Sequence, residues 1–533
     1  MWLINTTTIK LERADDKELA STHYAILSHT WGQDEATFDD MVCGQAKDRQ
    51  GYVKIVNTCR LAKKRGLAYA WVDTCCVDKR SSAELAEAIN SMFHWYKCST
   101  ICFAHLEDLD SNHSDALDGL ASCRWFTRGW TLQELIASQD IEFYDREWIY
   151  RGTKNGLQQR ISDITGIDTA VLENNDILET IPVAKRMSWA ANRETTRVED
   201  LAYCLLGIFD VNMPMLYGEG TKAFGRLQEE IIKVTTDLSI FAWKARDTSQ
   251  DYRGILAESP AEFSHCRHLR RAQTMRYGLE YRMTNKGLRL ETCMGISANK
   301  EYLLNLACMI PGDESRIGVY LAKTADGYVR TRPSELFKTH NSLLWAGPRY
   351  KAFIRKHITP YGSQNLKNLL SMNLASQFNI KPGLQLQTFA AKPADLWDPL
   401  TQAFITDNSE KFTGFLDFQV ADSKNFQTAR IYVVCGLMCQ SSSKRLKPWM
   451  GVYSSLDRAG SGNIINCIDG YYNSHGEEFY LHQLRDCVLA SGGDQPREIS
   501  VPCGEKANHL HISLGTLERN TDGLFTISVN VGR

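Results

Sequence analysis

The sequence predicts an α/β N-terminal domain, built on a parallel sheet with helices on both faces, then a helical extension, then a mainly β C-terminal domain. Three observations carry this. Up to residue 150, short apolar runs alternate with segments of helical period, the pattern of parallel strands joined by helical crossovers. Residues 151–243 keep a helical period and are expected to pack on that sheet. Beyond residue 253, short alternating runs sit between Gly, Ser, Asp and Asn turns, as in an antiparallel sandwich or barrel. A chain of 533 residues exceeds one ordinary core. We therefore divide it as 1–150, 151–243 and 253–533, with Lys244–Tyr252 as a linker.

Met1–Leu11 predicts a strand and a turn, and Ala14–Leu19 a charged loop. Tyr24–Ser28 is a buried strand that ends sharply in His29-Thr-Trp-Gly32. Asp34–Gln50 is polar and ambiguous. Gly51–Arg65 is a helix: Ile55, Val56, Cys59 and Ala62 recur at helical spacing, Lys63 to Arg65 complement the C-terminal dipole, and Gly66 stops it. Ala68–Val72 is the second buried strand, running into Asp73–Asp78. Ser81 and Glu84 have the spacing of a capping box, ahead of a helix with the stripe Leu85, Ala88, Ile89, Met92, Phe93 and Tyr96. Thr100–Leu106 is the third strand. A polar connection, Asp108–Asp118, leads to a helix opened by Gly129, and Ile141–Tyr144 is the fourth strand.

In the helix after Gly129, Leu132, Leu135 and Ile136 form the core stripe, while Trp130 and Glu134 share the other side. A bulky aromatic beside a carboxylate suits a site that stacks a flat ring and stabilises a positive charge. The same pattern also describes a Trp packed under a loop and a solvated Glu, and periodicity does not separate the two. Topology does bear on the choice. Open parallel sheets bind ligands outside the carboxyl ends of their strands, where the strand order switches direction. In the order 2-1-3-4 of flavodoxin-like sheets, the Ser28–Gly32 loop comes beside Trp130 and Glu134.

Further on, Ala223, Phe224, Leu227 and Ile231 carry a helical stripe. Arg186–Ala190 and Arg197–Leu201 read as locks between the helical part and the sheet. Ser239–Trp243 reads as a strand. In the C-terminal part, Gly287–Glu291, Tyr302–Leu306, Arg316–Leu321, Ile431–Val434 and Phe525–Val529 predict strands, and Gln364–Ala375 a helical insertion.

Composition narrows the function. With 61 basic and 63 acidic residues, the net charge of -2 gives no support to nucleic-acid binding. No run approaches the roughly 18 apolar residues of a membrane span, and the Met-Trp-Leu-Ile-Asn start lacks the apolar core of a signal peptide. A soluble, cytoplasmic protein is expected. Of 16 cysteines, Cys59, Cys102, Cys204, Cys308 and Cys435 lie in apolar runs and read as buried free thiols. Gly218-Glu-Gly-Thr-Lys222 lacks P-loop spacing and reads as a turn and cap. No nucleophile elbow occurs. Cys435 and Cys439 have no second pair at zinc-like spacing. His265-Cys-Arg-His268 and His509-Leu-His511 read as structural or solvated, and Cys75-Cys76 lacks the Cys-x-x-Cys spacing of a redox pair.

Several blocks occur in a fixed order: Tyr24-Ala-Ile-Leu-Ser-His-Thr-Trp-Gly32, Trp71-Val-Asp-Thr-Cys-Cys-Val-Asp-Lys79, Ser81–Asn90 and Arg128-Gly-Trp-Thr-Leu-Gln-Glu-Leu135. Arg186–Ala191, Thr195–Asp200 and Leu216–Gly220 follow. Together they resemble the fungal heterokaryon-incompatibility (HET) domain over roughly residues 1–243. The resemblance implies an intracellular role in non-self recognition and regulated cell death, a form of innate immunity, with a recognition partner or a homo-oligomer. The HET domain is in turn distantly similar to Toll/interleukin-1 receptor (TIR) domains, which are flavodoxin-like and some of which cleave NAD. Their Trp-x-x-x-Glu spacing is met by Trp130 and Glu134.

By that resemblance Glu134 is the candidate catalytic carboxylate. Ser28, His29, Trp31, Gly32, Asp73 and Trp130 are the candidate substrate-binding residues. NAD is then a substrate, with no cofactor and no metal. The alternative is a non-catalytic signalling module that binds itself or a partner, with Trp130 as an anchor. A hydrolase of another kind would need a nucleophile motif that the sequence lacks. The short linker, reaching only about 30 Å when extended, predicts that residues 253–533 dock on the N-terminal part and limit access to Glu134 or to its assembly surface.

Overall fold

The computed structural model describes residues 1–533 apart from 15–21, 111–118, 273–279, 300, 347–348, 371–373, 382–383, 407–411, 423–427, 440–445, 456–457, 477, 491–496, 503–508, 515–517, 520–524 and 533. Most of the expected loop 14–19 and of the expected connection 108–118 thus lies outside the described residues.

The N-terminal sheet has seven strands: β1 (Trp2–Asn5), β2 (Leu11–Arg13), β3 (Tyr24–His29), β4 (Tyr69–Trp71), β5 (Ile101–His105), β6 (Ile141–Tyr144) and β7 (Tyr150–Thr153). Their order is β2-β1-β4-β3-β5-β6-β7. The central strands β4-β3-β5-β6 are parallel and realise the 2-1-3-4 order. Antiparallel partners flank them, β1 beside β4 and β7 beside β6. Every residue of β3 is buried, as a strand covered on both faces requires.

Helices α1 (Phe38–Cys43), α2 (Tyr52–Lys64), α3 (Ser82–Cys98) and α4 (Trp130–Ala137) provide the crossovers. The chain steps one way from β3 to β4 and the other way from β4 to β5 and β6. Right-handed crossovers then put α2 on one face and α3 and α4 on the other. Hydrogen bonds from β3 agree: the Tyr24 hydroxyl donates to the Trp95 carbonyl of α3 at 2.6 Å, and the Ser28 hydroxyl donates to Glu134 of α4. Only half of the expected capping box forms. Ser81 Oγ accepts from the Glu84 N–H at 3.2 Å. The Glu84 carboxylate accepts from the Asp78 N–H instead, tying the loop after β4 to α3.

The extension carries α5 (Gln158–Thr165), α6 (Thr169–Glu173), α7 (Val183–Ser188), α8 (Asp200–Tyr203), α9 (Leu206–Phe209) and α10 (Lys222–Val234). Two expectations need correction here. Ser239–Trp243 is not a strand; Leu238–Phe241 is a 3-10 turn capped by Asp237, whose side chain accepts from the Ser239 N–H at 2.9 Å. The run is buried throughout, so no alternation was present to separate strand from helix. Arg186 does not lock the extension to the sheet. Its guanidinium donates to the Ile208 carbonyl at 2.9 Å and lies over Phe209, all within the extension.

A nine-stranded sheet spanning Tyr252 to Ile354 follows. It docks on the extension, and one hydrophobic core runs unbroken from Leu3 to Ile354. Trp243 is fully buried. Its indole N–H donates to the Ile255 carbonyl at 2.8 Å, and the Arg330 guanidinium covers its ring at 3.6 Å while donating to the Phe241 carbonyl at 2.9 Å. Arg267 donates to the Ser162 carbonyl at 2.9 Å, and Lys356 pairs with Glu229 at 2.7 Å.

Residues 374–532 form a separate sandwich, a seven-stranded sheet facing a four-stranded one. Alternate residues sort its faces: Leu416, Phe418 and Val420 enter the sandwich, whereas Phe415, Tyr432 and Val434 meet the helices Arg458–Asn473 and Glu478–Ala490 on the far side. The sequence reading missed this pair, because the first helix contains three glycines, which depress helix propensity. One of them has a packing reason: a Cβ at Gly470 would lie 2.3 Å from the Tyr480 ring. The helical insertion runs Pro360–Leu370, ending earlier than expected because a strand starts at Leu374.

Candidate functional site

Helix α4 starts at Gly129, whose N–H donates to the Glu194 carbonyl at 2.8 Å. A Cβ there would lie 2.5 Å from Thr195 Cγ2, so the close approach of the extension requires glycine. From this start α4 buries Leu132, Leu135 and Ile136 completely. Trp130 and Glu134, one turn apart, face a cleft of about 300 Å³ at the carboxyl ends of β3 and β4.

Glu134 is not a solvated helix residue; it is 5% exposed. Its carboxyl accepts from the Ser28 hydroxyl, which itself accepts from the Trp125 indole N–H at 2.8 Å. Burial raises its pKa to about 8, and the nearby charge of Asp73 adds to the rise. Hydrogen bonds from Ser28 and Tyr96 and the charge of Arg193 oppose it without reversing it. At neutral pH the carboxyl is therefore mainly protonated, and a cation beside it would favour release of the proton.

The structure brings His29, Trp31, Asp73, Trp130 and Glu134 to one cleft. His29 is 6% exposed, and burial lowers its pKa, leaving a neutral ring. Its Nδ1 lies 3.8 Å from Asp73 Oδ1, and these two atoms and His29 Nε2 have no hydrogen-bond partner among the protein groups. Trp31 is 45% exposed. Its indole N–H donates to Asp73 Oδ2 at 2.7 Å, and the Lys79 ammonium sits 3.6 Å from its ring centre. Ser28 stands behind Glu134 rather than in the cleft wall. Gly32 is not among the lining residues; its N–H donates to Glu35 at 2.7 Å.

The opposite wall comes from the extension, and the sequence reading missed it. Asp200 accepts from the Tyr217 hydroxyl at 3.0 Å, and burial raises its pKa. Arg197 lies over the Tyr217 ring at 4.4 Å. The turn that presents Tyr217 is held by Glu199, which accepts from the N–H groups of Gly218 and Gly220 at 2.8 and 3.0 Å. Both glycines have positive φ, so this stretch is a turn as expected, although Thr221 makes no side-chain cap. Arg193, also missed, joins the two walls by donating to the Arg128 carbonyl at 2.7 Å and to Thr131 Oγ1 at 3.0 Å.

Every lining residue falls between His29 and Tyr217. The C-terminal part docks on the extension, and among the described residues none of it lines the cleft that Glu134 faces; of the two expected restraints, at Glu134 or at its assembly surface, the first is not seen there. No cluster able to hold a metal ion occurs among the described residues. His265 is structural, its Nε2 lying 3.0 Å from the Ala242 carbonyl. Cys59, Cys75, Cys76, Cys102, Cys204, Cys308 and Cys435 are buried free thiols. No helix among the described residues is long and apolar enough to cross a membrane.

Comparison with known proteins matches residues 24–118 to the family described as heterokaryon incompatibility protein (HET). Residues 222–276 match a domain of unknown function, DUF8212. The chain is similar to the vegetative incompatibility protein HET-E-1 of Podospora anserina, at 46% identity over 242 residues. That similarity covers 42% of this chain and 18% of the relative, so the chain spans a small part of that protein. No solved structure matches. The N-terminal part is thus similar to the HET family over residues 24–118, and that match ends before Trp130.

Proposed function

We propose, for a chain similar to the HET family, that the cleft hydrolyses NAD at the nicotinamide–ribose bond, with Glu134 as the catalytic carboxylate. The observation that carries this reading is a buried carboxyl one helical turn from an indole, at the switch point of a parallel sheet. Loss of nicotinamide leaves a ribosyl group with oxocarbenium character, as in glycoside cleavage. The pyridinium of NAD is itself cationic, so its arrival favours ionisation of Glu134. The resulting carboxylate then faces the charge that develops on the ribose as the C–N bond breaks. Trp130 stacks on the departing ring. Water adds to the ribose carbon and gives up one proton, so NAD and water yield nicotinamide, ADP-ribose and a proton. In the cell this activity serves non-self recognition and regulated death in the cytoplasm, with the trigger supplied by a partner or by self-association.

The non-catalytic alternative, with Trp130 as an interface anchor, is less well supported by a Trp130 that faces the cleft. The deciding experiment is nicotinamide release from NAD by the purified full chain, over a range of protein concentrations. Wild type is expected to release it, and Glu134→Gln to lose about 10²–10³-fold, the loss typical of removing an electrostatic stabiliser. Equal release by wild type, Glu134→Gln and Glu134→Ala, or none by wild type at any concentration, overturns the proposal.

A further inference from the structure

The cleft changes character with depth. Its base holds the buried His29, Thr131 and Glu134. Its rim holds Lys79 and Arg197, both exposed, and the half-buried Arg128. None of these three cations is within ion-pair distance of a carboxylate among the described residues. The Arg128 guanidinium donates to the neutral Thr196 hydroxyl at 3.2 Å, Arg197 rests on Tyr217, and Lys79 rests on Trp31. Three cations around one opening, held by aromatic faces and a hydroxyl, keep most of their donors for an anion. Deeper in, Asp73 Oδ1 and His29 Nδ1 are an acceptor and a ring nitrogen without partners. A pair of ribose hydroxyls, each both donor and acceptor, suits them.

Size adds a limit. About 300 Å³ is the lower end of the range for small-molecule sites. That is room for one ring and one sugar, not for a dinucleotide.

We infer that the cleft reads a single nucleotide end: a flat ring and its ribose inside, the adjoining phosphates against Arg128, Arg197 and Lys79, and any second nucleoside outside. This rests on the NAD reading above and adds a specificity to it. The phosphate next to the bound ribose is required. The adenine and a 2′-phosphate on the distal ribose are not read, so NAD and NADP serve alike, whereas nicotinamide riboside is a poor substrate.

The test separates binding from turnover. Calorimetric titration of the full chain with ribose 5-phosphate, ADP-ribose and ribose is compared with the same titrations of Arg128→Gln, Arg197→Gln and Lys79→Gln. Ribose 5-phosphate and ADP-ribose are expected to bind within a few fold of each other and to weaken with salt. Ribose is expected to bind at least about tenfold more weakly, in keeping with loss of charge-assisted hydrogen bonds. Each variant is expected to weaken the phosphorylated probes about three- to tenfold, with ribose unchanged. Lys79 is exposed, so its variant tests the idea even if an arginine variant fails to fold. Ribose binding as tight as ribose 5-phosphate, unaltered affinity in all folded variants, or no binding of any probe overturns the inference. Phosphate-dependent binding without NAD cleavage sinks the hydrolase reading alone; NAD cleavage with an unchanged KM in the variants sinks this one alone.

Discussion

At the residue scale, Glu134 is a buried carboxyl that costs stability at high pH. Its pKa of about 8 in the fold lies well above the ordinary carboxylate value. The folded state therefore holds a proton that the unfolded chain has already released through the range between the two values. Stability from this group is fully present below about pH 4.5 and is lost as pH rises through about 8. Glu134→Gln, which cannot ionise, is expected to be more stable than wild type at pH 9 by a few kcal/mol, with the gap closing toward pH 5. Urea unfolding at both pH values checks this, and a gap that stays constant with pH would refute it. The sequence could pair Trp130 with Glu134 through their four-residue spacing, but it could not show the burial that sets this pKa. Around it stand Ser28, Tyr96 and Arg193, with Trp125 behind Ser28; they are scattered along the chain and carry no shared local pattern.

At the scale of elements, α4 sits where two walls meet, and Gly129 is a point of close approach. Gly129→Ala is expected to cost about 1–3 kcal/mol, the usual range for overpacking, since the new Cβ would stand 2.5 Å from Thr195 Cγ2. Adding Thr195→Ser removes that methyl while keeping the hydroxyl that donates to the Arg197 carbonyl. The double variant should recover most of the loss in thermal unfolding; no recovery would place the strain elsewhere. The parallel strands were legible because each strand is a short apolar run and each crossover helix has a stripe or a stop, whereas their 2-1-3-4 order was an assumption taken from flavodoxin-like sheets that the structure meets. What was not legible is instructive. Leu238–Phe241 is buried on every side, so its period says nothing. Asp200 and Tyr217 reach the cleft through packing between distant segments, which local patterns do not encode. Arg458–Asn473 hid behind glycines whose reason, at Gly470, is a neighbouring tyrosine.

At the scale of the whole molecule, the core from Leu3 to Ile354 makes the extension depend on the sheet that follows it. Residues 1–356 are expected to give a soluble fragment with one cooperative thermal transition. Residues 1–243 should melt at lower temperature or aggregate, since Trp243 loses both the Arg330 cover and the Ile255 carbonyl that accepts its N–H. Size-exclusion chromatography and circular dichroism of the two fragments decide this; equal behaviour would show the core to be divisible at residue 243. The same continuity governs how this stretch of chain travels between genes. A crossover in the DNA for residues 244–354 would hand its recipient half of a core and an uncovered tryptophan. A crossover between the codons for Ile354 and Leu374, where one hydrophobic core ends and the next begins, would move the cleft and everything that supports it as one inheritable piece.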